Sequence, residues 1–297
     1  MKIVCLGSLV RDNIYKVPHF VLPGETLPSD NLQIFLGGKG LNQAVALKRA
    51  GFPEVYLAGG YGTDGAEFLT YLDEQKIDHR FLFPVQMPNG HAVIQLTPQG
   101  QNAIVHYSGS NRHLPEVLVD NLLDFLEEGD FLVAQNEVNL LPELFEALPK
   151  KGVKIAFNPS PCDESAQKLP LKKAAYLIVN EVEGECLSGL SPKDPIAMIA
   201  ALVKKYKGAS IILTLGADGS YFSNGKETLF QKAYHVVAVD TVGAGDTFAG
   251  YLFAALAGGI APKDAMELSA RAAAISVTRH GAAPSIPKLS EVLQTKF

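Results

Sequence analysis

Short, uninterrupted apolar runs alternate with helical segments along most of these 297 residues, and that alternation narrows the fold more than any other feature. Strand candidates are Lys2–Gly7, Val55–Ala58, Phe131–Ala134, Lys154–Phe157, Tyr176–Val179 and Ser210–Leu215. Helices are predicted over Leu41–Ala50, Gly65–Gln75, Pro115–Glu127, Pro142–Leu148, Pro195–Tyr206, Asp246–Ala257 and Lys263–Thr278. Continuous apolar strands are expected where both faces of a sheet are covered. The fold class is therefore α/β, a mostly parallel sheet with helices on both sides. Two segments break the rhythm. Asn13–Phe35 has little helical periodicity and carries Pro18, Pro23, Gly24 and Pro28. His91–Leu96 and Ala103–Tyr107 alternate polar and apolar residues across a turn with Pro98 and Gly100, which predicts a hairpin. Both read as a small β-lid beside the main sheet. A further hairpin is predicted at Asn224-Gly225.

Composition removes several function classes. The formal charge is −5 with no basic block, which argues against nucleic acid as a partner. The longest apolar run, Gly250–Ala261, is too short to span a bilayer, so no membrane partner is expected. Cys5, Cys162 and Cys186 are far apart, and neither they nor the seven histidines show zinc spacing. An odd number of thiols, with a strand-like run from the first residues, leads to the expectation of a reducing, cytoplasmic setting.

Two glycine-rich runs carry the chemistry. The first, Asp240-Thr241-Val242-Gly243-Ala244-Gly245-Asp246-Thr247-Phe248-Ala249-Gly250, follows a β-type stretch, Tyr234–Val239, and opens a long apolar helix. Small residues at a helix mouth leave backbone N–H groups free for an anion, and Asp246 would sit beside that anion. This arrangement suits phosphoryl transfer, with Asp246 taking a proton from a hydroxyl. Read alone, Asp246 could equally cap a helix after a glycine turn. The second run is Gly37-Gly38-Lys39-Gly40-Leu41-Asn42-Gln43-Ala44. Asn42 can offer its amide to a hydroxyl, and Lys39 can pair with an acid or a phosphate. No Ser or Thr follows Lys39, which excludes a Walker P-loop. Gly7-Ser8-Leu9-Val10 lacks the glycine spacing of a dinucleotide site.

Together the two runs resemble the signatures of the ribokinase-like, or phosphofructokinase-B, family of carbohydrate kinases, over Ile3 to about Pro287. The resemblance implies one three-layer α/β/α domain over 1–297, with a β-lid formed by about 11–36 and 90–110. It implies an ATP-dependent kinase that phosphorylates a sugar hydroxyl, most simply the primary hydroxyl of a pentose such as ribose or deoxyribose. Asp246 would be the base, with Gly243, Ala244 and Gly245 as the anion hole. Asp12, Gly38, Lys39, Asn42 and Glu137 would hold the sugar. Asn180, Thr214, Gly216 and Gly219 would meet the nucleotide, and Glu183 would position Mg²⁺ through water. Asp240, Val242, Ser276, Gly281 and Ser285 match positions that hold a monovalent cation, expected to be K⁺. A homodimer through the lid edges is the expected assembly. Where ribokinases usually carry Asn-x-Asp, this chain has Val10-Arg11-Asp12, so a sugar hydroxyl facing Val10 would lose a partner. A deoxypentose suits Val10 better. A nucleoside kinase of the same fold, or a sugar-binding regulator without turnover, are the alternatives.

Overall fold

A computed structural model describes residues 1–29 and 31–297. Thirteen strands form two sheets among these residues. In chain order the strands are β1 (Ile3–Leu6), β2 (Val10–Lys16), β3 (Asn31–Gly37), β4 (Val55–Tyr61), β5 (Asp78–Pro84), β6 (Gly90–Leu96), β7 (Asn102–Tyr107), β8 (Phe131–Gln135), β9 (Lys154–Asn158), β10 (Tyr176–Val179), β11 (Ser210–Thr214), β12 (Ser220–Ser223) and β13 (Thr228–Gln231). The helices are α1 (Lys39–Arg49), α2 (Ala66–Gln75), α3 (Val117–Phe125), α4 (Leu141–Ala147), α5 (Glu164–Lys168), α6 (Glu181–Ser188), α7 (Pro195–Lys205), α8 (Ala244–Ala257), α9 (Pro262–Ser276) and α10 (Leu289–Gln294).

The larger sheet has the order β13-β12-β11-β10-β9-β8-β1-β4-β5. Every pairing from β11 through to β5 is parallel, and β12 and β13 add an antiparallel edge. Its strands are apolar on both faces because both faces are covered. Ile3 and Cys5 of β1 point into one core with α1, α8 and α9, while Val4 and Leu6 point into the other with α3, α4 and α7. This is the three-layer α/β/α arrangement expected of the alternating pattern.

The smaller sheet has the order β3-β2-β6-β7 and falls on the two segments that broke the pattern. The hairpin β6–β7 closes through Thr97 N donating to Gln101 O at 3.0 Å. The Asn224-Gly225 hairpin joins β12 to β13 as expected.

Two expectations are corrected. Tyr234–Val239 forms no strand. The amides of Val239 and Asp240 both donate to Val277 O just beyond α9, and Val237 is 86% exposed, so the apolar alternation has no sheet edge to join. Unpaired thiols were expected, yet Cys162 and Cys186 are joined in a disulfide across 24 positions, with Cys5 buried and free. Sequence distance concealed the pair. The loop after β9 and helix α6 after β10 are neighbours only because β9 and β10 are adjacent in the sheet.

Candidate active site

The C-terminal ends of β1, β8, β9, β10 and β11 share one edge of the large sheet, where ligands of open α/β sheets bind. From β1 the chain builds outward to β4 and β5 on one side and then from β8 to β11 on the other. The order therefore reverses between β1 and β8. Ser8 and Glu137 leave those two strands, and the Ser8 hydroxyl donates to Glu137 Oε2.

Backbone contact brings the glycine run Gly37–Ala44 to this edge. A Cβ on Gly40 would lie 2.5 Å from Ser8 N and 2.6 Å from Gly7 Cα. Only two glycines facing each other let α1 start this close to the end of β1. The first turn of α1 then presents Lys39, Asn42 and Gln43. Lys39 Nζ reaches Glu137 Oε1 at 3.2 Å. Burial alone would lower the Lys39 pKa, but Glu137 and Asp246 hold it above its ordinary value.

Asp246 lies in the first turn of α8, after Gly243 in the left-handed conformation (φ 75°). Its Oδ2 accepts from Asn42 Nδ2 and its Oδ1 from Gln43 Nε2, both at 2.9 Å. Burial pushes the Asp246 carboxyl up, while Lys39 and the two amides pull it back. Ala244 N is taken by Thr241 O at 3.3 Å. The backbone amides of Gly243, Gly245 and Asp246 donate to nothing among the described residues and remain available to an anion.

The sugar candidate of β2, Asp12, joins the site through the charges of Glu137 and Lys39. Val10, Asp12 and Ile14 share one face of β2 by strand alternation, with Gly90 and Ala92 of β6 opposite Val10 and Asp12. Burial and the Glu137 charge push the Asp12 carboxyl up to about 6, with Lys39 opposing them. Asn42 Oδ1 is buried and unpartnered, an acceptor free for a hydroxyl. A carboxylate that accepts hydroxyls must be ionised to do so fully. The KM for the sugar should therefore rise about tenfold as pH falls from about 7.5 to about 5, and Asp12→Asn should flatten that dependence. A KM that stays constant over the range would remove Asp12 from the sugar site.

A cleft of about 230 Å³ is lined by Lys39, Asn158, Asn180, Glu183, Thr214, Gly243, Gly245 and Asp246, among others. Asn180 and Glu183 form a capping box on α6. Glu183 is 5% exposed, not a solvated acid, and accepts from Asn180 N at 2.9 Å, Asn180 Nδ2 at 3.2 Å and Asn158 Nδ2 at 3.0 Å. Three of its roughly four lone-pair directions are filled, leaving one on Oε1 open toward the cleft. Gly216 and Gly219, both at positive φ, lie beyond Thr214 and do not line this cleft.

The cation residues also converge. Asp240 Oδ1 accepts from Val242 N at 3.0 Å and Oδ2 from Gly281 N at 2.9 Å, clipping the run before α8 to the loop after α9. The hydroxyls of Ser276 and Ser285 are turned to the carbonyls of Ala273 and Ala282. The carbonyls of Val242 and Gly281 accept no hydrogen bond among the described residues, so a carbonyl-coordinated ion fits this loop pair.

The profile of the pfkB family carbohydrate kinases matches residues 1–289. The chain belongs to that family. Its members are phosphotransferases acting on a sugar hydroxyl, and the match places both glycine runs within it. The chain is 37% identical to a ribokinase of Haemophilus influenzae, over 97% of its length and 96% of that protein's. It resembles the crystal structure of a Cryptococcus neoformans ribokinase in complex with ADP, with a TM-score of 0.86 and 34% identity over 99% of both chains. It also resembles an Arabidopsis thaliana ribokinase complexed with ribose and ATP, with a TM-score of 0.87 and 26% identity over 99% of this chain and 97% of that one.

Sequence reasoning passed over Ser8, Gln43, Gln135 and Asn158. Gln43 lay inside the quoted run, but only its contact with a residue 203 positions away reveals its use. Asn158 carried no local signal at all. No helix is long and apolar enough to cross a membrane, and no cluster of three His, Cys, Asp or Glu able to hold a metal occurs among the described residues.

Proposed function

We propose that this carbohydrate kinase transfers the γ-phosphoryl group of ATP to the primary hydroxyl of a pentose. One observation carries the reading. The Asp246 carboxylate sits at the mouth of α8, held by the amides of Asn42 and Gln43, and lines a cleft of about 230 Å³ together with Lys39, Asn180 and Glu183. Asp246 takes the hydroxyl proton, and the oxygen attacks in line. The free amides at the start of α8 hold the charge that develops on the transferred group. Lys39 neutralises part of it from the opposite wall.

Asp12, Gly38, Lys39, Asn42 and Glu137 orient the sugar, and Asn180, Thr214, Gly216 and Gly219 the nucleotide. Glu183 would hold Mg²⁺ through water, and the ion would supply positive charge against the phosphates when the nucleotide is bound. K⁺ bound by Val242, Ser276 and Gly281 carbonyls near Asp240 and Ser285 would fix the loop before α8. The whole chain acts as one unit, with the small sheet as a lid that excludes water.

The solvent face of that lid carries Leu32, Ile34, Val93, Val105 and Tyr107, all exposed, with β3 and β7 as open edges. A homodimer that covers this face and these edges accounts for it. A chain that sediments as a monomer, or turnover indifferent to potassium, would remove these two features.

The test is a substrate panel of ribose, 2-deoxyribose, fructose and nucleosides with MgATP. The relatives named ribokinase favour ribose, while Val10 on the Asp12 face of β2 favours a sugar lacking one hydroxyl. Val10→Asn should raise the preference for ribose over 2-deoxyribose roughly tenfold, the worth of one added hydrogen bond in a closed site. Turnover of nucleosides but not pentoses would overturn the reading.

A further inference from the structure

Gln43 has no role in the transfer as drawn so far, yet it is 1% exposed and its Nε2 donates to Asp246 Oδ1 at 2.9 Å. Its other end is also engaged. Gln43 Oε1 accepts from Gln135 Nε2 at 2.8 Å. An amide whose oxygen is held by a donor must turn its NH₂ the opposite way. The Gln135 contact therefore decides which end of Gln43 faces the carboxylate. Gln135 is fully buried at the end of β8, and its own Oε1 has no partner among the described residues. An unpaired buried acceptor is costly, and the fold carries it in the orientation that hands a donor to Gln43.

We infer that Gln43, oriented by Gln135, is a positioning residue that locks the plane of the Asp246 carboxylate toward the acceptor hydroxyl. Asn42 cannot do this alone. Its single bond to Oδ2 leaves the carboxylate free to rotate, and its own Oδ1 is buried with no partner among the described residues to fix its amide from behind. Gln43 is held from behind by Gln135 and is not among the residues that line the cleft. Lys39 and Glu137 are the other charged groups that face Asp246. Neither is hydrogen-bonded to Gln43 among the described residues. The inference rests on Asp246 being the base.

Gln43→Met removes the donor and keeps the length, and Gln135→Met leaves Gln43 present but unoriented. With the full chain, MgATP and the best sugar of the panel, Gln43→Met should lower kcat about 30-fold with both KM values within about twofold. The acid limb of kcat should move to higher pH, because the carboxylate loses a hydrogen bond that favours its charged form. Gln135→Met should lower kcat about fivefold, and the double variant should be no worse than Gln43→Met, since Gln135 acts only through Gln43. Wild-type kcat and pH profile in Gln43→Met, or losses that multiply in the double variant, would overturn the inference. Should Gln43→Met fail to fold, Gln135→Met carries the test by its kcat and acid limb. Asp246→Asn with near-normal turnover would instead overturn the base assignment. An inactive Asp246→Asn beside a normal Gln43→Met sinks the positioning role alone.

Discussion

Asp246→Asn should lower kcat about a thousandfold and leave nucleotide affinity within about threefold, the span expected when a general base is removed and the binding surface is kept. The substitution conserves shape. It removes the proton acceptor and sets one NH₂ against the donors of Asn42 and Gln43. Inactivity through unfolding is distinguishable by the sign of the stability change. The folded-state pKa of Asp246 is raised, with burial the main cause. A group raised in this way stabilises the fold below its unfolded pKa and loses that contribution as pH rises through the folded value. At neutral pH the ionised side chain therefore costs stability. Asp246→Asn should melt at the wild-type temperature or above it, despite the lost acceptor. An active variant would refute the assigned base, and an inactive one that melts several degrees lower would leave loss of fold as the cause.

The second large effect concerns Gly40, and two forces compete there. Glycine in a helix is about 1 kcal/mol worse than alanine, so helix propensity alone would make Gly40→Ala stabilising. The close approach decides otherwise. The added Cβ would stand 2.5 Å from Ser8 N and 2.6 Å from Gly7 Cα, both backbone atoms in the main sheet's central crossing. Neither can rotate aside. Overpacking against backbone should cost about 3 kcal/mol and lower Tm by roughly 6 °C. Because α1 must lift away from β1, Lys39, Asn42 and Gln43 shift with it, and kcat should fall even at temperatures where the variant is folded. A Tm at or above wild type would show that propensity outweighs the contact.

Much of the fold was legible because its signals are local. Six strands and seven helices were recognisable from apolar runs and their spacing, and the helix mouth at Asp246 from adjacent small residues. What escaped was set by contacts distant in sequence. β5 carries mixed polar and apolar residues and takes its strand character from the partner it meets, while β2 and β3 were legible only as part of a small β-lid without strand bounds. The stretch Tyr234–Val239 has strand-like composition and no partner, so it stays irregular. Asn180 and Glu183 were recognisable as a motif, but the further donor that Glu183 meets, Asn158 Nδ2, comes from the neighbouring strand. Asp12 was identified by resemblance, whereas its raised pKa comes from burial and then from the charge of Glu137, 125 positions later, which no reading of nearby residues supplies.

The junction of the two sheets has a mechanical consequence. The chain crosses from the main body at Leu9, returns at Gly38 and crosses again at Gly90, all within touching distance. Leu9 N donates to Asn111 Oδ1 at 2.9 Å, and Leu9 O accepts from Asn89 Nδ2 at 3.0 Å and Asn111 Nδ2 at 2.9 Å. A Cβ on Gly38 would lie 2.9 Å from Val10 N, and one on Gly90 2.9 Å from Leu9 O. Arg11 of β2 ties the small sheet to the body a second time, through its ion pairs with Asp64 and Glu67. A protease cutting the tip at 97–101 would leave both fragments rooted in that junction, and the nicked enzyme would hold together as one particle.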